Sequence, residues 1–370
     1  MIREYFETAL LSEASYADLE RIRDADDLKT ALINIGGVDD DDKGFSPIQA
    51  EDFVTHWRVA HHQPNTPTGF SATVFESIDN PGEFVFAMRG TEATAQWGTD
   101  ITLADIADIG ADGIALHQAI DLMNYYQRLT TPVEELAYQY ELYEDTEPPP
   151  EVVEYIEYED GIPFTGTHYR YLVPAEPMQG LDIIPDSVAT IDVTGHSLGG
   201  HLALIMSRLD PGRVGEVYTY NAPGFDTGMI GSDDTEWFFR AMGEIETNET
   251  GRTTVGNFPV TRIDNLVAPG DVVSEIGMIP GNITPHFSEG SGPASAHSIS
   301  NATDALAIYN LLSAIDPNAD LSNLTPILDA TSNQGNETLE SIIHSLSDLL
   351  INPIDVPIDE REPLYRAIHR

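Results

Sequence analysis

The sequence predicts an α/β fold in which a mainly parallel central sheet carries helices on both faces. The first observation is a run rich in β-branched residues, Val188–Thr194, which is typical of a buried strand. A glycine-rich turn and an apolar helical segment, His201–Arg208, follow it directly. Two further strand-like runs come later, at Gly215–Tyr220 and Val260–Val267. Strands that alternate with helices in this way favour parallel pairing.

The remaining elements follow from hydrophobic periodicity and turn residues. In chain order they are an amphipathic helix in Arg3–Arg23, strands at Ser71–Ser77 and Glu83–Met88, a helix from about Ala111 to Leu129, a helix Asn301–Ala314 that Asn301 opens, and an amphipathic helix Glu337–Leu350. We therefore expect a core domain over residues 1–314 and a helical C-terminal extension over residues 315–370.

The charge of the chain excludes several classes of partner. Its 370 residues carry a net charge of −45, with 17 basic residues and no cysteine. Such a surface repels nucleic acid and anionic lipid headgroups, and without cysteine there are neither disulfides nor thiolate metal sites. No apolar run is long enough to span a membrane. The oligomeric state stays open.

The same composition bears on location and on metal ions. We interpret the acidity as an adaptation to a saline or calcium-rich exterior. The N-terminus lacks the pattern of a cleaved signal. We expect secretion without a cleaved leader, with a cytoplasmic location as the alternative. The run Asp39–Asp42 is either a calcium site or a solvated turn. No cofactor is required, and a role for calcium is left open.

The turn between the strand at Val188–Thr194 and its helix carries the chemistry. It reads Gly195-His-Ser-Leu-Gly-Gly200, a Gly-x-Ser-x-Gly motif between strand and helix. This context predicts a nucleophile elbow, a tight turn that exposes Ser197 and requires glycine two positions to either side. The backbone N–H of Leu198, at the helix N-terminus, is then a donor to the oxyanion of acyl transfer.

A serine hydroxyl needs a histidine base and an orienting carboxylate, which follow it in the chain in this fold. After excluding His201, His344 and His369 by their positions in helices or at the terminus, two histidines remain, His286 and His297. We favour His297, because it immediately precedes a helix that can hold it firmly. His286 stays the alternative.

The acid comes from the segment Val260–Ser274, which offers Asp264 and Asp271. Asp264 lies within the predicted strand. Asp271 follows the strand's C-terminal end, where catalytic groups of parallel sheets gather, so we favour it and keep Asp264 open. A second oxyanion donor is expected at Arg89-Gly-Thr91, at the end of another strand, where the N–H of Thr91 can face the oxyanion.

Between about residues 131 and 185 the composition changes. Three prolines stand together at Pro148–Pro150, and no Lys or Arg occurs between Arg128 and Arg170. We interpret this segment as an insertion on the core fold. The segment has three interpretations: a lid over the active site, a flap that shapes a groove, or an acidic loop without function.

Together these features resemble the class 3, or fungal-type, lipases of the α/β-hydrolase superfamily, from about Ser71 to Leu312. The matching features are Arg89-Gly-Thr91, Trp97, Asp100, Gly195–Gly200, Tyr220–Gly224, Asp271-Val-Val and a late histidine. The resemblance implies a nucleophile at Ser197, an acid at Asp271, a base at His297 and an oxyanion hole at Thr91 and Leu198.

A narrower resemblance is to the lipase or phospholipase A1-like domains of large secreted bacterial proteins with calcium-binding repeats. It rests on His297-Ser-Ile leading into Asp304-Ala-Leu-Ala. No such repeat occurs in this chain, so the resemblance implies further sequence beyond Arg370.

The function expected from all of this is hydrolysis of carboxylic esters through a Ser-His-Asp triad and an acyl-enzyme. This hydrolysis is expected as the activity of a lipase, a phospholipase A1 or a general esterase. The substrate is then a lipid or another ester, and contact with a lipid interface is transient. The alternative is a catalytically idle, lipase-like binding domain of a larger exported protein.

Overall fold

The computed structural model describes residues 1–35, 44–90, 113–147, 155–160, 166–225, 233–290, 292–316, 318–331, 338–350 and 361–369. The strands are β1 Trp57–Gln63, β2 Ala72–Ser77, β3 Phe84–Met88, β4 Leu136–Asp145, β5 Tyr155–Asp160, β6 Gly166–Gln179, β7 Ile191–His196, β8 Val214–Tyr220, β9 Ile263–Val267 and β10 Asn282–Pro285. The helices are α1 Ile2–Ala14, α2 Ala25–Ile33, α3 Pro47–His56, α4 Leu116–Thr130, α5 Leu198–Leu209, α6 Asp233–Thr250, α7 Pro293–His297, α8 Ile299–Ile315, α9 Leu321–Thr331, α10 Thr338–Leu350 and α11 Arg361–Ile368.

Seven strands form the central sheet, in the order β1-β2-β3-β7-β8-β9-β10. The five strands from β3 to β10 are parallel, whereas β1 and β2 pair antiparallel at one edge. Parallel strands end at the same edge, so the residues that follow β3, β7, β8, β9 and β10 gather there.

Helices cover both faces of this sheet. Alternate residues of β3 separate the two faces: Phe84 and Phe86 join the core beneath α4, α5 and α6, while Val85 and Ala87 join a core with α1, α2 and α3. A third cluster packs α1 and α8 against β8 and includes residues of α9, α10 and α11. The predicted α/β class, with a mainly parallel sheet and helices on both faces, is confirmed.

Three predicted elements have different bounds in the structure. The first helix ends at Ala14 rather than Arg23: Tyr16 and Leu19 have helical spacing, but they pack against the core from the segment that follows α1. Residues Val260–Arg262 form a 3₁₀ turn before β9. Ser298, not Asn301, caps α8: its side chain accepts the Asn301 N–H, so the helix starts at Ile299.

Between α4 and β7, β4, β6 and β5 form a second, antiparallel sheet in that order. Tyr140 and Leu172 are buried in the core beneath it. On its other face Tyr143 stacks on Tyr171, with ring centroids 5.8 Å apart. These strands lie within the segment of about 131–185, where the sequence suggested an insertion without indicating strands. The division into domains stays a prediction.

Within the described residues, no helix is long and apolar enough to cross a bilayer.

Candidate active site

Ser197 lies on a sharp bend between β7 and α5. Its backbone has φ 57° and ψ −131°, a conformation that costs a non-glycine residue on the order of 1–3 kcal/mol and persists only where the surroundings impose it. Such strain is the mark of a nucleophile elbow, which lifts the side chain clear of the sheet edge.

Gly195 and Gly199 permit this bend. A Cβ on Gly195 would lie 2.2 Å from the Gly199 carbonyl oxygen, and one on Gly199 would lie 2.1 Å from the Met88 carbonyl oxygen. Both contacts are with backbone, which cannot move aside as a flexible side chain can. A side chain at Gly195 would therefore push the start of α5 away from β7, and one at Gly199 would push the elbow away from the end of β3.

The structure brings Ser197, His297 and Asp271 into one hydrogen-bonded line. His297 Nε2 lies 2.9 Å from Ser197 Oγ, and His297 Nδ1 lies 2.8 Å from Asp271 Oδ1. The His297 side chain is 10% exposed to solvent, whereas the Asp271 side chain is 0% exposed. The carboxylate is thus the innermost member, and the serine–histidine pair is nearer to solvent.

The two alternative residues lie elsewhere. Asp264 accepts hydrogen bonds from the Tyr5 hydroxyl and the Asn282 amide. His286 is fully buried, and its Nδ1 contacts the Phe287 carbonyl oxygen at 2.7 Å. Neither touches Ser197 or His297 in the contacts of the described residues.

Asp271 is held as an anion. Burial would raise its pKa, but hydrogen bonds from His297 and Ser274 hold the pKa below the ordinary value. A carboxylate can only accept, so His297 Nδ1 carries the proton and Nε2 is left to accept from the Ser197 hydroxyl. This is the tautomer that a general base requires.

Asn221 was not singled out from the sequence. It links the segment that leads to Asp271 with the segment that leads to His297. It follows β8, is fully buried and has φ 49°. Its Oδ1 accepts the Ala268 N–H at 2.8 Å, and its Nδ2 donates to the Ala296 carbonyl oxygen at 2.9 Å. Ala268 leads to Asp271 and Ala296 precedes His297, so one side chain sets the spacing of Asp271 and His297. Its place in Tyr220-Asn-Ala-Pro-Gly224 was the available signal.

His196 and Tyr16 also reach the site without having been predicted. His196 is buried beside the nucleophile, with Nε2 2.5 Å from the His297 carbonyl oxygen and Nδ1 2.9 Å from the Tyr16 hydroxyl. Burial, and next the neighbouring His297, lower the pKa of His196 to about 3. The ring is therefore neutral. A histidine directly before the serine of the elbow motif was the one sequence signal for His196.

The N–H of Leu198 is the first of α5 and has no carbonyl one turn earlier to accept it within the helix. The helix N-terminus also carries partial positive charge. At the end of β3, the N–H of Arg89 bonds the Ser71 carbonyl oxygen and that of Gly90 bonds the Tyr16 hydroxyl. Thr91, the predicted second donor, lies outside the described residues, as do Trp97, Asp100 and the Asp39–Asp42 run.

Among the residues that the structure describes, no group of three or more His, Asp or Glu side chains is arranged to hold a metal ion.

Comparisons with known proteins yield low-identity structural likenesses. No family model matches the chain, and no curated protein matches it. The crystal structure of the Lip2 lipase from Yarrowia lipolytica is 14% identical, over 80% of this chain and 82% of that one, with a TM-score of 0.33. The crystal structure of M37 lipase is 13% identical, over 86% of this chain and 96% of that one, with a TM-score of 0.33.

The α/β-hydrolase fold of the chain rests on its own sheet order and on the elbow at Ser197.

Proposed function

We propose that this protein is a serine carboxylic ester hydrolase that acts through an acyl-Ser197 intermediate. The observation that carries the proposal is the continuous line from Ser197 Oγ through His297 to Asp271, set on a strained elbow. Strain and an ordered donor–acceptor line are costly to maintain, and nucleophilic acyl transfer is the chemistry that uses both.

In the proposed reaction, Ser197 Oγ attacks the ester carbonyl carbon while its proton passes to His297 Nε2. Asp271 stabilises the resulting imidazolium and is not itself protonated. The oxyanion of the tetrahedral intermediate accepts the Leu198 N–H at the positive end of α5. His297 then returns the proton to the departing alcohol oxygen, and the acyl group stays on Ser197. Water, deprotonated by His297, attacks this acyl group, releases the carboxylic acid and restores the serine.

We further propose that the substrates are lipid esters, as in a lipase or a phospholipase A1. Apolar contacts next to the elbow support this: Leu198 packs with Ala115 and Ile276. In the chain that follows Asp271, Val272 and Met278 are 50% and 63% exposed. Exposed apolar side chains in this segment suit an acyl chain or a lipid–water interface. The net charge of −45 favours neutral or zwitterionic lipids over anionic ones.

The first experiment follows p-nitrophenyl esters of increasing chain length. We expect a burst of p-nitrophenol followed by slower steady turnover, and covalent labelling of the wild type by a fluorophosphonate. Ser197→Ala should lose labelling and lower kcat by about 10⁴-fold or more. Ser207→Ala is the matched control, since Ser207 lies on the helix that follows Ser197 and its hydroxyl donates to the Leu204 carbonyl oxygen. Wild-type turnover in Ser197→Ala would contradict the proposal.

The second experiment addresses substrate class. Phosphatidylcholine and phosphatidylglycerol vesicles are compared without divalent cations, beside a short soluble ester. We expect faster hydrolysis of phosphatidylcholine, because the acidic protein is repelled from the anionic surface. Equal or faster hydrolysis of phosphatidylglycerol would contradict the charge argument and leave the triad untouched.

A further inference from the structure

Three hydrogen bonds run in series from the end of β3 to the backbone of the base. The N–H of Gly90 donates to the Tyr16 hydroxyl oxygen at 3.1 Å. The Tyr16 hydroxyl contacts His196 Nδ1 at 2.9 Å, and His196 Nε2 contacts the His297 carbonyl oxygen at 2.5 Å. Tyr16 comes from the segment after α1, 180 residues from His196.

The direction of every bond in this series follows from donor chemistry. A carbonyl oxygen only accepts, so His196 Nε2 carries the proton. The neutral ring then has no proton on Nδ1, and the Tyr16 hydroxyl must donate to it. The hydroxyl oxygen accepts the Gly90 N–H. Each donor therefore meets an acceptor, and the series has one self-consistent arrangement of protons.

The series connects three parts of the site, and the proposed reaction requires their relative positions to be fixed. Gly90 follows β3 and precedes Thr91, the expected oxyanion donor, and His196 precedes Ser197. His297 is held twice: its ring bonds Ser197 and Asp271, while its carbonyl accepts from His196. Side-chain hydrogen bonds of the ring alone leave its backbone free to shift, and a displacement of about 1 Å can cost 10²-fold in rate.

We propose that Tyr16 and His196 are positioning residues, which hold the His297 backbone and the end of β3 at fixed distances from Ser197. This inference rests on the proposed function, since it assigns the pair to the same reaction. Neither residue exchanges protons with the substrate. Both ring nitrogens of His196 are already bonded, and the ring is buried.

The first test is Tyr16→Phe, which removes one hydroxyl and leaves the ring. We expect kcat per fluorophosphonate-labelled site to fall by about tenfold, with KM changed by less than about twofold, because positioning acts on the transition state. Tyr5→Phe is the matched control: it removes a hydroxyl that bonds Asp264, away from the triad. We expect its kcat to equal that of the wild type.

Counting rates per labelled site separates catalysis from loss of folded protein. Unchanged kcat per site in Tyr16→Phe, whatever its melting temperature, would overturn the inference. A wild type without turnover or labelling would instead refute the proposed function.

The second test needs no activity. In ¹⁵N-labelled protein, the imidazole of His196, assigned by its loss in His196→Phe, should show the Nε2–H tautomer and no titration between pH 8 and 5. Tyr16→Phe should shift the Nδ1 resonance, because that nitrogen loses its donor. A proton found on Nδ1, or an Nδ1 resonance unmoved in Tyr16→Phe, would overturn the series of hydrogen bonds.

Discussion

Asp271 Oδ1 lies 2.8 Å from His297 Nδ1, and the carboxylate that makes this contact is shielded from solvent. Ser274 and Val273 donate backbone N–H groups to the same carboxylate, at 2.9 and 3.3 Å. The loop after β9 is thus folded around an anion that accepts from His297, and in the proposed reaction Asp271 is both an orienting and a stabilising group.

Asp271→Asn should lower kcat by about 10⁴-fold with little effect on folding, because an amide that donates to Nδ1 selects the wrong tautomer of His297. Asp264→Asn is the matched control, since Asp264 bonds Tyr5 and Asn282 rather than the base. Its kcat should stay within about twofold of the wild type. Steady-state kinetics on a soluble ester measures both, and a larger loss in Asp264→Asn would reverse the assignment of the acid.

Asn221→Ala should reduce both stability and turnover. It leaves a buried N–H and a buried carbonyl unpaired, at about 1–3 kcal/mol each, and puts alanine at a positive φ. We expect a loss of roughly 3–6 kcal/mol in urea unfolding and a fall in kcat per labelled site.

Asn124→Ala is the control for Asn221. Asn124 likewise bonds one backbone N–H and one carbonyl, both of Tyr140, in the second sheet. It should lose stability and keep its kcat per site. Equal kcat in both variants would show that Asn221 has no part in spacing acid and base.

A buried ion cluster joins the first and last helices, and it should dominate their docking. Arg361 of α11 contacts Glu13 of α1 at 2.5 Å and Asp304 of α8 at 2.8 Å. Arg361→Met removes the cation that Glu13 and Asp304 share, and it should lower the free energy of unfolding by about 3–5 kcal/mol. Adding Glu13→Gln should restore part of this loss. Arg366→Met, which breaks the exposed pair with Glu362, should cost less than about 1 kcal/mol. Similar losses in the two arginine variants would contradict this assignment.

Stability should fall as the pH drops below about 6.5. Burial lowers the pKa of His201 and His286 to about 4, and that of His196 to about 3. Below pH 6.5 these histidines bind protons in the unfolded chain but not in the folded one, so the free energy of unfolding decreases with falling pH. Each contributes a slope of about 1.4 kcal/mol per pH unit, down to its folded pKa.

His286→Leu isolates one of these slopes. Between pH 6 and 4.5 its free energy of unfolding should depend on pH less steeply than that of the wild type, by about 1.4 kcal/mol per unit. Urea unfolding at each pH gives the comparison, and parallel curves for wild type and His286→Leu would contradict the prediction.

Salt should stabilise the protein. With a net charge of −45, the negative side chains repel one another most strongly in the compact folded state. Raising the ionic strength from about 0.01 to 0.15 M shortens the screening length from about 30 to 8 Å and weakens this repulsion. We expect the melting temperature to rise equally in NaCl and KCl. CaCl₂ at the same ionic strength tests for specific calcium binding, which would add a further increase. A lower melting temperature in NaCl would contradict the screening argument.

Local pattern was enough to predict many of the elements and to single out Ser197, but it did not indicate β4, β5 and β6. The β-branched run before Gly195, the glycines around Ser197 and the apolar helix after it are neighbours in the chain, and their steric demands act over a few residues. The bounds were less predictable: Tyr16 and Leu19 have helical spacing because both pack against the core, although neither lies in a helix.

The sequence by itself determined that a serine stands on a tight strand–helix turn, that two aspartates and two histidines could serve it, and that the surface is strongly acidic. Only the tertiary structure decided which of them meet, and it added Tyr16, His196 and Asn221 as the groups that hold them. The physical reason is that hydrogen bonds are sensitive to differences of tenths of an ångström between residues that lie up to 180 positions apart. Those distances are set by the order and direction of strands in the sheet, which no local spacing encodes.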